Sequence, residues 1–421
     1  MIVSFSSQVV EHPGPTARRL ALLVSGLLVV LSVFAPAAAA GGRCGVVEMT
    51  SRGTIVATGT DLQVAINAAV SGDTLTIKGT CSGTFSISGT GLNLVGMGAA
   101  TLDGSGLGPV LSVGLGTTVS VTNLKITNGR GVNGGGIHNE GTLTILASTV
   151  TDNIAQSGGG IWNAWGYGTL TVLASTVTGN IASQLGGGIY NGSGGTLTIT
   201  GSTVTDNTAT IDGGGISNDG TLTISGSTVR GNSSHQGGGV NNQGTAAIAT
   251  STLSGNAATL GGGFFNLVGT ATITGSTVDG NIATDEGGGI DNNSGTMTVT
   301  NSTVTGNAAD HGGGIGNAAG ILTLAGVTIG APGRRNTAAT NGGGIYNAYG
   351  AELNFASSMT TIDFNTANTS GSGSHGGGIY VDSSLGGSVT CGGPPSLVAY
   401  GTRNSPDNSY DTALGPNTVC L

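Results

Sequence analysis

The residues best placed for acid–base chemistry are Asp285, Glu286, Asp310 and His311. They form two pairs, each directly before a Gly-Gly-Gly, 25 residues apart. Hydrolysis of a glycosidic bond needs two carboxyl groups at a set separation. Elimination across such a bond needs a base and usually a carboxylate cluster that holds a cation. Asp212 and His235 fall in the same place in other repeats, but so do Ser157, Leu185 and Leu260. A solvated loop of varying sequence therefore explains the four residues better than catalysis, and they are kept only as fallback catalytic candidates. Arg334 and Arg335 lie in the longest inserted loop, where solvation is again favoured over substrate binding. No cofactor or metal is expected. There is no Cys-x-x-Cys spacing for zinc, and the glycines and Gly-Thr-x-Thr runs belong to the repeat rather than to a phosphate loop or nucleophile elbow.

A second set of residues suits binding. The variable position of Gly-Gly-Gly-Ile-x-Asn reads His138, Trp162, Tyr190, Ser217, Asn241, Phe265, Asp291, Gly316, Tyr346 and Tyr380 down the chain. Lying between an inward Ile and an inward Asn, this position should point outward. Five of the 16 aromatic residues fall here, and Trp165, Tyr167 and Tyr349 lie in the loop beside it. Trp162, Tyr190, Phe265, Tyr346 and Tyr380 thus form an expected outward column on which sugar rings stack. Sheet propensity for aromatics is the competing reading.

The elements that position these residues come from an internal repeat. Gly-Gly-Gly begins at 134, 158, 186, 213, 237, 261, 287, 312, 342 and 376. Each unit carries GGG-[IVF]-x-N, then G-T-[LA]-T-[IV], then S-T-[VL]-x-x-N. From the Gly of the second block to the Asn of the third is 12 residues in seven repeats. Length varies only after each Asn, where loops are expected. Thr-Leu-Thr-Ile alternates with the period of a strand, so each unit should supply three short strands joined by tight bends. One unit cannot bury its apolar face alone, so coils must stack. The reading is all-β: a single-stranded right-handed parallel β-helix of about 25 residues per coil. Glycine fits the corners. Asparagine tolerates left-handed backbone and can bond the coils on either side. Two internal ladders are expected, Asn139, Asn163, Asn191, Asn218, Asn242, Asn266, Asn292, Asn317 and Asn347 in one, Asn153, Asn180, Asn207, Asn232, Asn256, Asn281 and Asn307 in the other.

Residues 1–40 read as an export signal, with Arg18 and Arg19, an apolar run from Leu20 to Phe34, and small residues at Ala38–Ala40. The run is short for a membrane span, and no membrane-spanning segment is expected once the signal is removed. Residues 41–75 form an N-terminal cap region. Leu62, Ile66 and Ala69 have helical spacing and Asp61 can serve as N-cap, predicting a short helix that covers the open end of the solenoid. The β-helix then occupies 76–390, with regular repeats from 134 to about 381, and 391–421 form a tail. Export permits disulfides. Cys44, Cys81, Cys391 and Cys420 lie at the two ends, and local pairing would staple each end, although four cysteines permit three pairings.

Glycine fills 83 positions and proline 9, about 22%, but charge is low and β-branched residues abound, unlike a disordered chain. Without the leader 9 basic and 19 acidic residues remain, a net charge of −10 with two lysines. Such a surface does not suit nucleic acid.

The GGG[IVF]xN and xxN repeats resemble those of bacterial polymorphic outer membrane proteins, and the helix followed by Gly72–Thr80 resembles the opening of pectin-lyase-like right-handed β-helix proteins. The resemblance covers most of residues 55–390 and implies a β-helix outside the cell. Here GGG replaces the family's GGA, the second block lacks its Phe, and residues 391–421 hold no strands of a membrane barrel. The expectation is a secreted or surface-exposed, non-catalytic adhesin-like or structural binding rod whose partners are extracellular glycans or cell-surface components. A polysaccharide lyase or hydrolase of the pectate-lyase type and a purely structural envelope component are the alternatives.

Overall fold

The computed structural model describes residues 19–24, 27–32, 43–49, 55–59, 61–356, 359–367, 376–382, 386–391, 398–400 and 404. Residues 1–42 and 43–421 are separate compact units. In the first, Arg19–Val24 and Leu27–Ser32 pair antiparallel; the expected cleavage site at Ala38–Ala40 lies outside the described residues. The second is a parallel β-solenoid of about 11 turns with about 26 residues each.

One coil illustrates how the sequence builds it. Ile161–Asn163, Thr169–Leu173, Thr176–Thr178 and Ile181–Leu185 are its strands. Each pairs in parallel with its counterpart one coil on: Ile161 opposite Ile189, Leu170 opposite Leu197, Val177 opposite Val204, Ile181 opposite Thr208. The second and third kinds of strand merge into one sheet of 26 strands, the Ile-x-Asn strands form a sheet of 12, and the fourth kind forms short sheets of four and five. Alternation sends Leu170, Val172 and Val177 inward with Ile161, all fully buried, and each stacks on an apolar counterpart in the next coil. Stacking of like on like makes the core continuous and forces coils to be stabilised by their neighbours.

Polar ladders run up three corners. Asn139 Nδ2 donates to Asn163 Oδ1 at 2.7 Å, and the chain of bonds continues through Asn191, Asn218, Asn242, Asn266, Asn292 and Asn317 to Asn347. A second begins with Asn153 Nδ2 donating to Asn180 Oδ1 at 3.0 Å. It runs beyond the regular spacing to Asn336, Asn365 and Asn404. A serine ladder joins them, each backbone N–H donating to the next hydroxyl, as Ser148 N–H does to Ser175 Oγ at 3.1 Å. Within these ladders the buried amides and hydroxyls are tolerated because they are paired from coil to coil.

The triple glycine makes the fourth corner. Gly186 has φ 62°, and a Cβ on it would meet Ile189 O at 2.5 Å. A Cβ on Gly187 would meet Gly214 O of the next coil at 2.4 Å. The first glycine permits the reversal and the second lets backbones approach.

At the N-terminal end, Gly45–Met49 pairs antiparallel with both Ile55–Gly59 and Thr74–Ser82, so the last parallel strand is covered by a hairpin. A short helix, α1 (Leu62–Ala68), begins at Asp61, whose side chain accepts from Gln63 N and Val64 N. Leu62 and Ile66 are buried in the main core. The Gln63 amide bonds both Ser86 N–H and Ser86 O, standing in for a neighbouring peptide group at the edge of the 12-stranded sheet. Cys44 and Cys81 are disulfide-bonded; Cys420 lies outside the described residues. Beyond 390, Val398–Tyr400 still pairs in parallel with Thr360–Ile362, so the solenoid continues into the segment read as a tail. Among the described residues no helix is long and apolar enough to cross a membrane.

Candidate functional site

The variable side chain of Ile-x-Asn does lie on the face opposite the inward Ile and Asn, but that face is not open. Trp162, Tyr190, Phe265, Tyr346 and Tyr380 are all buried, none more than 8% exposed. The expectation of an exposed aromatic column is therefore corrected. The cause is the triple glycine, whose reversal folds the residues before it back over the strand after it. His138 Nδ1 lies 3.0 Å from Asn133 O. Leu185 packs on Trp162 and Tyr190. The His311 ring lies 4.9 Å from that of Tyr346. The column is a buried seam with two small cores apart from the main one, one around Trp162 and Tyr190, where His138 stacks on Trp162 at 4.4 Å, and one where Tyr346 stacks on Tyr380 at 5.6 Å.

The covering residues were expected to be a variable loop, and they form the fourth strand. A signal for it was present in the sequence. Two residues after the second Asn stand Ala155, Ala182, Ala209, Ala258, Ala283, Ala309, Ala338 and Ala367, all buried.

Aromatic surface is found one step along, in the loop after Asn163. Trp165 is 59% exposed and Tyr167 68%. The indole of Trp165 is nonetheless anchored. Its Nε1 donates to Tyr190 Oη at 2.9 Å, and Tyr190 Oη donates to Asp219 Oδ2 at 2.6 Å. Its ring also meets Trp162 edge-on at 5.9 Å. Burial, then the bond to Asp219, pushes the Tyr190 phenol well above its ordinary pKa. Burial also raises the Asp219 carboxyl, an effect the Tyr190 bond opposes. Tyr349 stands two residues after Asn347, as Trp165 does after Asn163, and is 54% exposed.

Between these aromatic ends the seam is polar except at Phe265. Ser217 Oγ, both amide atoms of Asn241 and both oxygens of Asp291 are buried without a hydrogen-bond partner, as are Asp212 Oδ1, Glu286 Oε1 and His311 Nδ1 among the covering residues. Burial raises Asp212, with Asp219 adding to it and His235 opposing. Burial, then Asp291, then Asp285 raises Glu286 to about 9, and burial, then Asp285, raises Asp291 to about 7.

The fallback catalytic candidates are thus divided. Glu286 is buried beside Asp291, whereas Asp285 is exposed. Asp310 accepts from Thr340 Oγ1 and lies 3.7 Å from His311 Nε2. Catalysis requires contact with substrate, and Glu286, the carboxyl with the most perturbed pKa, is only 8% exposed. Arg334 pairs with Asp279 and Arg335 donates to Thr366 Oγ1, so this loop ties coils together. Among the described residues no three His, Cys, Asp or Glu side chains converge as a metal-ligand set. Comparison with protein-family models, curated proteins and solved structures returns no match.

Proposed function

We propose that this chain is a non-catalytic, extracellular binding rod that holds neutral glycans on aromatic side chains in the loops after the first asparagine ladder. The observation that carries the reading is Trp165, an exposed indole held rigid by Tyr190, Asp219 and Trp162. An aromatic face offers the apolar side of a sugar ring a stacking surface. Rigidity lowers the entropy lost on binding. Tyr167 widens the platform, and Tyr349 repeats it seven rungs away, a span of about 34 Å at ~4.8 Å per rung. Two platforms on one rigid body favour long chains over short ones through effective concentration. The net charge of −9 argues for neutral rather than acidic polymers. That charge and the burial of Glu286 both weigh against the pectate-lyase alternative. The leader-like N-terminus and the resemblance to polymorphic outer membrane protein repeats in a pectin-lyase-like β-helix support a place outside the cell.

The test is retention of the full chain on a glycan array, followed by assay for cleavage products. Wild type should retain neutral polysaccharide with no products, and Trp165→Ala should lose at least tenfold in retention with unchanged circular dichroism. Equal retention by the variant, or turnover of an acidic polysaccharide, sinks the reading.

A further inference from the structure

The charge pattern of the seam carries an inference separate from glycan binding. Glu286 lies on the covering strand (Ile282–Glu286) and Asp291 on the Ile-x-Asn strand that follows. Asp291 is fully buried and Glu286 8% exposed, and three of their four carboxyl oxygens accept no hydrogen bond. Carboxylates left this way are very unfavourable, and buried charge persists where it is paired or coordinates a metal.

The position next to Asp291 in the seam, one rung on, is Gly316. A Cβ there would meet Glu286 Cγ at 2.5 Å and Oε1 at 2.8 Å. The Glu286 carboxyl therefore fills the slot that a side chain at 316 would occupy. Two carboxyl groups thus stand on successive rungs of one column. Rungs of a parallel sheet are ~4.8 Å apart. Calcium accepts irregular sets of oxygens at ~2.3–2.6 Å, whereas magnesium demands a near-ideal octahedron at ~2.0–2.1 Å and gives up its waters reluctantly, so a buried pair of this kind favours calcium. Asp285, exposed and next in sequence to Glu286, adds negative potential on the solvent side. Calcium uses carbonyl oxygens and water to complete its shell, so two carboxylates suffice from side chains.

We propose that Glu286 and Asp291 form a calcium site that fastens the covering strand to the Ile-x-Asn sheet. The ion neutralises both carboxylates and gives their unpartnered oxygens a ligand. It locks a boundary between the polar middle of the seam and the aromatic Tyr346–Tyr380 end.

The test is calorimetric titration of the full chain with calcium chloride near neutral pH, with melting curves in calcium, magnesium or chelator. Calcium should bind at one site and raise the melting temperature, and magnesium should do so far less. Asp291→Asn and Glu286→Gln, each close in shape to the original, should weaken calcium binding at least tenfold. Asp152→Asn, a change in a distant corner, should leave it intact. The proposal is overturned if calcium produces neither heat nor a shift in melting. Equal effects of magnesium and calcium overturn it too, as does an equal loss in Asp152→Asn. If melting responds to pH alone and calcium adds nothing, protons hold the pair and the site does not exist.

Discussion

At the scale of single residues, Glu286 and Asp291 make stability depend on pH in a direction opposite to that of an ordinary salt-bridged acid. An acid whose pKa is higher in the fold than in the unfolded chain holds more protons when folded, so stability falls as pH rises between the two values. For Glu286 that window runs from 4.5 to about 9, and for Asp291 from 3.8 to about 7. The ionisable groups around the pair are Asp285, Asp310, His311 and Tyr346. In chelator, the melting temperature should decline across this window, and the Glu286→Gln/Asp291→Asn double variant should flatten the decline. Parallel curves for the two proteins would show that the pair is not its source. Nothing in the local sequence announces this pair. Glu286 and Asp291 are five residues apart in a repeat where both positions vary. They meet because one glycine run folds the first back over the next rung.

At the scale of elements, the glycines of a coil are not equivalent, and substitution separates one in the triple-glycine corner from one in the turn before the serine ladder. A Cβ on Gly214 would lie 2.4 Å from Ser233 O and 2.5 Å from Gly238 O, backbone atoms that cannot turn aside. Gly214→Ala should cost about 3 kcal/mol or more in chemical denaturation. Gly226, unlike Gly214, has positive φ, but a Cβ there meets nothing within 4 Å. Other coils hold Ala147 and Ala174 at the same place with φ of 47° and 46°. Gly226→Ala should therefore cost only about 1 kcal/mol. Similar losses for both would refute the crowding argument. The strands and asparagine ladders were legible because period-2 alternation and fixed spacing follow directly from stacked parallel coils. The outward column was misjudged for a physical reason. Alternation predicts which face a side chain leaves from, and says nothing about what folds over that face. Read as a corner alone, Gly-Gly-Gly gave three strands per coil. Its role as a reversal, with the recurring Asn-x-Ala before it, gives the fourth. The ladder positions Asn336, Asn365 and Asn404 were missed because insertions break the count while the coil's cross-section stays the same.

For the solenoid as a whole, each coil touches only its neighbours, so damage should stay local. The Cys44–Cys81 bond closes a separation of 37 residues at the N-terminal end. Chain entropy assigns such a loop about 4 kcal/mol. Reduction should therefore raise amide exchange in α1 and the first coils, with coils beyond Gly213 keeping wild-type protection. Loss of protection along the whole chain would mean that the coils unfold as one unit. The in-register ladders have a consequence for how such a gene changes. The top of every regular coil offers the same strand edges, asparagine amides and serine hydroxyls as its bottom accepts. Unequal crossing-over between two repeats therefore inserts or removes a whole rung without leaving an unmatched surface. Copy number becomes a heritable length setting of ~4.8 Å per step. Alleles that differ only in repeat count would fold equally well while changing how far apart the Trp165 and Tyr349 platforms stand.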